Sequence, residues 1–130
     1  MVAGCLLVAY WVLWWTDRSL IASASTSSYS EFEGAFRLAD GWLLFCVFMA
    51  AVQLWRRVGS ALMWLVAAGG AGTYLLCMDV LYDVQHGIYG AGTGGVIELS
   101  LNIITAAFSV TALWWSWHFR EKILSDSRAR

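Results

Sequence analysis

Two aspartates and a histidine follow directly on a long uncharged stretch of this sequence. Residues 77–90 read CMDVLYDVQHGIYG, and residues 58–78 carry no charge. In a helix, Asp79 and Asp83 lie one turn apart on a common face, and Tyr82 and His86 form a neighbouring pair with the same spacing. Carboxylates and an imidazole brought together in this way can bind a cation or transfer protons.

Two further acids stand where other uncharged stretches begin. Asp40 precedes residues 41–55, and Glu98 precedes residues 99–119. Glu98 also starts a polar stripe with Asn102, Thr105 and Ser109, because spacings of four, three and four residues place these side chains on one face of a helix. We expect this stripe to face protein and not lipid.

These residues predict an acidic ligand-binding pocket in which carboxylates carry charge, an amide donates hydrogen bonds and aromatic rings form a wall for a cation. Its candidate residues are Asp40, Asp79, Asp83, Glu98, Asn102, Tyr82, Tyr89 and Trp42. Asp83 and His86 are candidate ligands for a divalent cation, and no other cofactor is expected. The alternative is that acids at the ends of membrane spans are only solvated by headgroup water.

The composition indicates that the solvent of this chain is a bilayer. The 130 residues are 60% hydrophobic and 13% charged, with nine tryptophans and no proline. A bilayer core about 30 Å thick needs about 20 helical residues to cross it. Uncharged stretches near that length occupy residues 1–16, 41–55, 58–78 and 99–119.

We therefore predict an all-α polytopic membrane protein, a single four-helix bundle. The predicted spans cover about 2–16, 38–55, 59–80 and 97–118, with outer loops at 17–37 and 84–96 and a tail at 119–130. Ser30 and Glu33 fit a capping box, which predicts that the second helix runs from about 31 to 56. The first stretch could instead be a signal peptide, but it lacks a basic beginning.

The charges predict an orientation. Six bases after the second and fourth spans stand against two acids, a net charge of +4, whereas the residues at the other side sum to −5. Basic residues favour the cytoplasmic side, so both termini are expected in the cytoplasm. The predicted location is the cell membrane, specifically a bacterial inner membrane.

Other patterns predict packing. The small residues AAGGAG at 67–72 allow close approach of helices, and the glycine-rich stretch GIYGAGTGG at 87–95 predicts a mobile external loop. Cys5, Cys46 and Cys77 form no CxxC motif and are expected to be buried small hydrophobes. The tryptophans near span ends predict aromatic belts at the headgroup boundary.

Several functional classes are disfavoured. Nucleic-acid binding lacks a basic surface beyond the bases that orient the spans. A diheme cytochrome needs paired histidines at matched depth, yet His86 and His118 belong to opposite membrane faces. A four-span multidrug exporter is expected to hold an acid near the midplane, whereas every acid here lies at a span end.

The sequence resembles a group of small four-span bacterial membrane proteins of unassigned function. The likeness covers about residues 29–120. It is carried by Phe36, Ala39-Asp40-Gly41-Trp42, Asp79-Val80-Leu81-Tyr82-Asp83, Gly87-Ile88-Tyr89, Glu98 and Asn102. It implies no activity. The architecture is also similar to that of EXPERA-type proteins, which bind sterols or amines, but no acid here aligns with theirs.

Three functional hypotheses follow. The first is a non-enzymatic membrane protein whose outward acidic pocket binds a cation or an amphipathic cationic ligand, alone, as a homo-oligomer or as an accessory subunit of a larger membrane assembly. The second is an enzyme that uses the carboxylates as acid and base on a lipid or isoprenoid. The third is a structural subunit whose acids pair with bases on partner chains. We favour the first, in which membrane lipid and a small cationic or lipid-like ligand are the partners.

Overall fold

The computed structural model describes residues 27–128 without a break, with side-chain detail for 37–125. Before them it describes the helical residues Val8, Ala9, Val12, Leu13 and Thr16. Most of the predicted first span lies outside the described residues, as does the signal-peptide alternative. The described chain is all-α: α1 is Ser27–Trp55, α2 is Ala61–His86, a 3-10 turn is Ile88–Gly90, α3 is Thr93–His118 and α4 is Arg120–Arg128.

Three helical segments are long and apolar enough to cross a membrane. They are Arg37–Trp55, Ala61–His86 and Thr93–His118. They coincide with the predicted spans at 38–55, 59–80 and 97–118, so each of these predictions has a helix of the required length. This is the pattern of a multi-pass membrane protein.

The helix ends differ from the predicted ones. α1 already includes Ser27, ahead of the predicted capping box at Ser30 and Glu33. α2 continues past residue 80 to His86, and α3 already begins at Thr93, so only residues 87–92 separate them. The predicted tail is largely the helix α4.

A glycine ends α2. Gly87 has a φ of 64°, and its backbone N–H is directed to the carbonyls of Asp83 and Val84. This left-handed conformation is the common helix C-cap and is easiest for glycine. The aspartates mark a depth in the membrane, but they do not interrupt the backbone hydrogen bonds of the helix. The span end that the charged residues predict therefore lies before the end of the helix.

α2 packs against both α1 and α3, and short connections make each pair antiparallel. The predicted role of the small residues is confirmed at Ala68, Gly69 and Gly72, which are buried. A Cβ atom on Gly69 would lie 2.7 Å from Leu113 Cγ, and one on Gly72 would overlap Ser109 Oγ. The backbones of α2 and α3 thus approach as closely as glycine allows.

The interior is unusually polar and the exterior apolar. Among the described residues, the largest of the fully buried side chains are Asp83, Cys46, Ser109 and Ser116, whereas Phe48, Val110 and Trp117 are exposed. In water such an arrangement exposes a large apolar area, but in lipid the exposed side chains meet hydrocarbon. Cys46 is buried as predicted, whereas Cys77 is exposed, because an apolar thiol facing lipid gains little from burial in protein.

We expect Gly69→Ala to lower the free energy of unfolding by about 1–3 kcal/mol, because Leu113 has to leave its rotamer to admit the new methyl group. Gly70→Ala is the matched control, since nothing lies within 4 Å of a Cβ at Gly70. Unfolding in mixed detergent micelles measures both. Equal effects at the two adjacent glycines would show that the close approach of α2 and α3 does not limit stability.

Charges separate to the two ends of these helices. Arg56 and Arg57 lie in the turn between α1 and α2, and Arg120 and Lys122 lie in α4 beyond the end of α3. Asp79 is eighteen residues along α2 from Ala61, about 27 Å at 1.5 Å per residue. A basic end and an acidic end are therefore separated by about the thickness of a bilayer core.

Candidate functional site

Three carboxylates meet at the acidic end of the bundle. Asp79 and Asp83 come from the last two turns of α2, and Glu98 comes from the second turn of α3. One oxygen from each of the three lies within 4.8 Å of the others. These three residues are called the carboxylate cluster below.

The carboxylate cluster is not splayed into solvent. Asp83 is 2% exposed, Glu98 is 3% exposed and Asn102, one turn further along α3, is 5% exposed. Asp79 is partly buried. The polar stripe of α3 faces protein as predicted, since Ser109 is buried as well.

Asn102 links the carboxylate cluster to the turn between α2 and α3. Its amide nitrogen Nδ2 donates one hydrogen bond to Asp83 Oδ2 and one to the hydroxyl oxygen of Tyr89, each 2.9 Å long. An amide carries two N–H hydrogens, so both are used. The amide is thereby fixed in one orientation, with its hydrogens on Asp83 and Tyr89.

Tyr89 reaches the cluster from the turn between the helices. Its hydroxyl accepts a hydrogen bond from Asn102 and lies beside the carboxylate of Asp83. Burial raises the pKa of the Tyr89 phenol above its usual range, and the negative charge of Asp83 acts in the same direction. The phenol therefore keeps its proton and can donate it in a hydrogen bond to Asp83.

The electrostatic environment of Asp79 is negative. The charges that act on it are those of Asp83, Glu98 and Asp40. Asp40, on α1, thus contributes negative charge to the same region. Burying several carboxylates costs several kcal/mol for each charge unless protons or a bound cation offset them.

His86 lies apart from the carboxylate cluster. Its ring stacks on the ring of Tyr82 with centroids 4.0 Å apart, and its Nδ1 donates to the Tyr82 carbonyl over 2.9 Å. Both residues are close in space as their spacing predicted. The group of potential ligand atoms in the described chain consists of Asp79, Asp83 and Glu98, and does not include His86.

Trp42 belongs to an aromatic group between α1 and α2. Its ring centroid lies 5.8 Å from that of Phe45 and 6.4 Å from that of Trp64. Phe45 and Trp64 meet edge to face at 5.3 Å. The contacts of Trp42 therefore fit a packing role in this aromatic group, and its predicted contact with a ligand stays a prediction.

Sequence reasoning did not anticipate the structure of the glycine-rich segment. Within the predicted mobile external loop, residues 88–90 form a 3-10 turn, and Ile88 is 5% exposed. Gly95 lies so close to this turn that a Cβ on it would overlap the carbonyl oxygens of Ile88 and Tyr89. An apolar residue and a tyrosine between glycines were the available signal of a folded turn.

The carboxylate cluster fits a hard divalent cation chemically. Ca²⁺ and Mg²⁺ bind oxygen ligands at about 2.0–2.6 Å, so two oxygens on one ion lie about 3–5 Å apart. Oxygens within 4.8 Å of one another satisfy this requirement without large movements. Since the donors are carboxylates, Mg²⁺, Ca²⁺ and Mn²⁺ suit them better than Zn²⁺ or copper.

Comparison with protein-family models, with curated proteins and with solved structures finds no match to this chain.

Proposed function

We propose that this protein is a small multi-pass membrane protein that binds a hard divalent cation at the carboxylate cluster. The observation that carries the proposal is the meeting of three carboxylates within 4.8 Å, two of them buried, at the end of apolar helices. Protein interiors do not hold such a concentration of negative charge without compensation. A cation supplies that compensation and gains three charged ligands.

The surrounding residues have supporting roles in this proposal. Asn102 holds Asp83 in position, and Asp40 adds negative charge that attracts the cation. Basic residues favour the cytoplasmic side of a membrane, so the end with Arg56 and Arg57 faces the cytoplasm and the cluster faces outward. The cation is therefore taken from the outer aqueous phase.

The experiment that tests the proposal is thermal unfolding of the purified, chelator-treated protein in the presence of Mg²⁺, Ca²⁺, Mn²⁺, Zn²⁺ or an organic amine. We expect a hard divalent cation at 100 times its Kd to raise the free energy of unfolding by about 2.7 kcal/mol. Asp79→Asn and Glu98→Gln should each abolish most of this increase, because each removes one charged ligand.

Glu121→Gln is the matched control. Glu121 lies at the basic end with an 89% exposed side chain, and its carboxylate is 3.7 Å from Arg120. It should leave the cation response unchanged. Equal cation responses in the Glu98→Gln variant and the parent would refute the proposal. Stabilisation by the amine alone would indicate that the ligand is an ammonium group and not a metal ion.

A further inference from the structure

The carboxylate cluster lies at an end of the bundle, yet the side chains of Asp83 and Glu98 are almost inaccessible. A helix end that borders the aqueous phase is normally open to water, so some element has to cover these carboxylates. The candidate within the described chain is the 3-10 turn Ile88–Gly90, which contacts both α2 and α3. This turn connects the two helices that carry the cluster.

Two glycines define where the turn leaves the helices. Gly87 ends α2 with a φ of 64°, and Gly92 precedes α3 with a φ of 67°. Both conformations are accessible to glycine at low energetic cost. The chain therefore reverses at the end of α2, and the turn folds back toward the polar stripe of α3.

Two sets of contacts fix the turn against α3. Ile88 is buried, and the backbone carbonyls of Ile88 and Tyr89 lie directly against Gly95, in the first turn of α3. The hydroxyl of Tyr89 accepts a hydrogen bond from Asn102 and lies beside Asp83. The turn is thus fixed on one side by backbone packing and on the other by the phenol.

We infer that Tyr89 is a positioning residue that seals the carboxylate cluster from the aqueous phase, and that ions and water reach the cluster when the turn lifts at Gly87 and Gly92. The ion in this inference rests on the proposed function. The seal itself does not, because it concerns the access of water to Asp83 and Glu98 whether or not a cation binds.

Carbodiimide labelling tests the seal. A carbodiimide adds a protonated carboxyl group across its C=N bond, and the O-acylisourea rearranges to a stable N-acylurea that mass spectrometry locates. A water-soluble carbodiimide has to pass the turn, whereas dicyclohexylcarbodiimide enters through the lipid. Exposed Glu121 serves as the internal reference for the water-soluble reagent.

We expect the water-soluble reagent to label Glu98 about tenfold faster in Tyr89→Phe than in the parent, because loss of the hydrogen bond between Asn102 and the phenol favours the open turn. Labelling by dicyclohexylcarbodiimide should not change. Gly90→Ala alters the same turn without touching the hydroxyl, and a Cβ at Gly90 meets nothing within 4 Å, so it should label as the parent does.

Unchanged labelling of Glu98 in Tyr89→Phe would overturn the inference. So would an equal acceleration by both reagents, since that result indicates a change in protonation of the carboxyl group and not in access. Protection of Glu98 by Ca²⁺ or Mg²⁺ in the parent is a separate readout. If the cations do not protect Glu98, the cation site is refuted and the role of Tyr89 is unaffected. If they protect Glu98 but Tyr89→Phe has no effect on labelling, only the role of Tyr89 is refuted.

Discussion

Replacing Asn102 with leucine should lower the free energy of unfolding by about 3–5 kcal/mol, the largest stability effect expected of a single substitution in the described chain. The two side chains have the same number and branching of heavy atoms, so the shape of the side chain is approximately retained. What is lost is the amide that donates to Asp83 and to Tyr89. Asp83, 2% exposed, then remains buried without this donor.

Ser109→Ala is the matched control for this substitution. Ser109 lies on the same face of α3 and is as buried as Asn102, but its hydroxyl has no hydrogen-bond partner in the described structure. Its loss should therefore cost less than about 1 kcal/mol. Unfolding in mixed micelles at neutral pH measures both variants. A cost for Asn102→Leu no larger than that for Ser109→Ala would mean that Asp83 does not need the amide.

The arrangement of the site was predictable where it depends on helical periodicity. Asp79 and Asp83 share a face because they are four residues apart, and Glu98 and Asn102 do so for the same reason. Connecting two antiparallel helices by a short segment then brings the end of one against the start of the next. Residue spacing and chain direction together determine which carboxylates meet.

Helix ends were less predictable, because hydropathy and helix formation respond to different properties. Charged residues indicate where a span meets the headgroups, and on that basis the third span was predicted to end near residue 80, with an outer loop from residue 84. The helix continues to His86 because its backbone is interrupted only by Gly87. The first residues of the predicted outer loop at 84–96 therefore still belong to the helix, and both aspartates lie in its last turns, on one face as predicted.

The role of Tyr89 could not be obtained from periodicity. A tyrosine beside an acidic site suggests a ring that contacts a cation, and the sequence favoured that interpretation. In the structure the hydroxyl is the group that contacts the site. The turn after Gly87 places it within hydrogen-bonding distance of Asn102 and beside Asp83. Such a position depends on backbone dihedral angles at Gly87 and Gly92, which a residue pattern does not specify.

Acidification should release the cation. Carboxylates bind a metal ion in their deprotonated form, so protons and the cation compete for the oxygens of Asp79, Asp83 and Glu98. The apparent affinity is therefore highest at high pH and falls as the pH is lowered. Each proton that the cation displaces contributes up to about a tenfold change per pH unit, so we expect Kd to rise by about 10- to 100-fold between pH 8 and pH 6.

Calorimetric titration in two buffers of different ionisation enthalpy measures this competition directly, because the difference in heat gives the number of protons released per cation bound. In the parent this number should exceed zero near pH 7. Glu98→Gln removes one titrating carboxylate, so any residual binding should release fewer protons and depend less on pH. An affinity that is independent of pH in the parent would show that these buried carboxylates are charged before the cation arrives, with their charge offset by other groups of the protein. The cation would then not be the element that makes their burial possible.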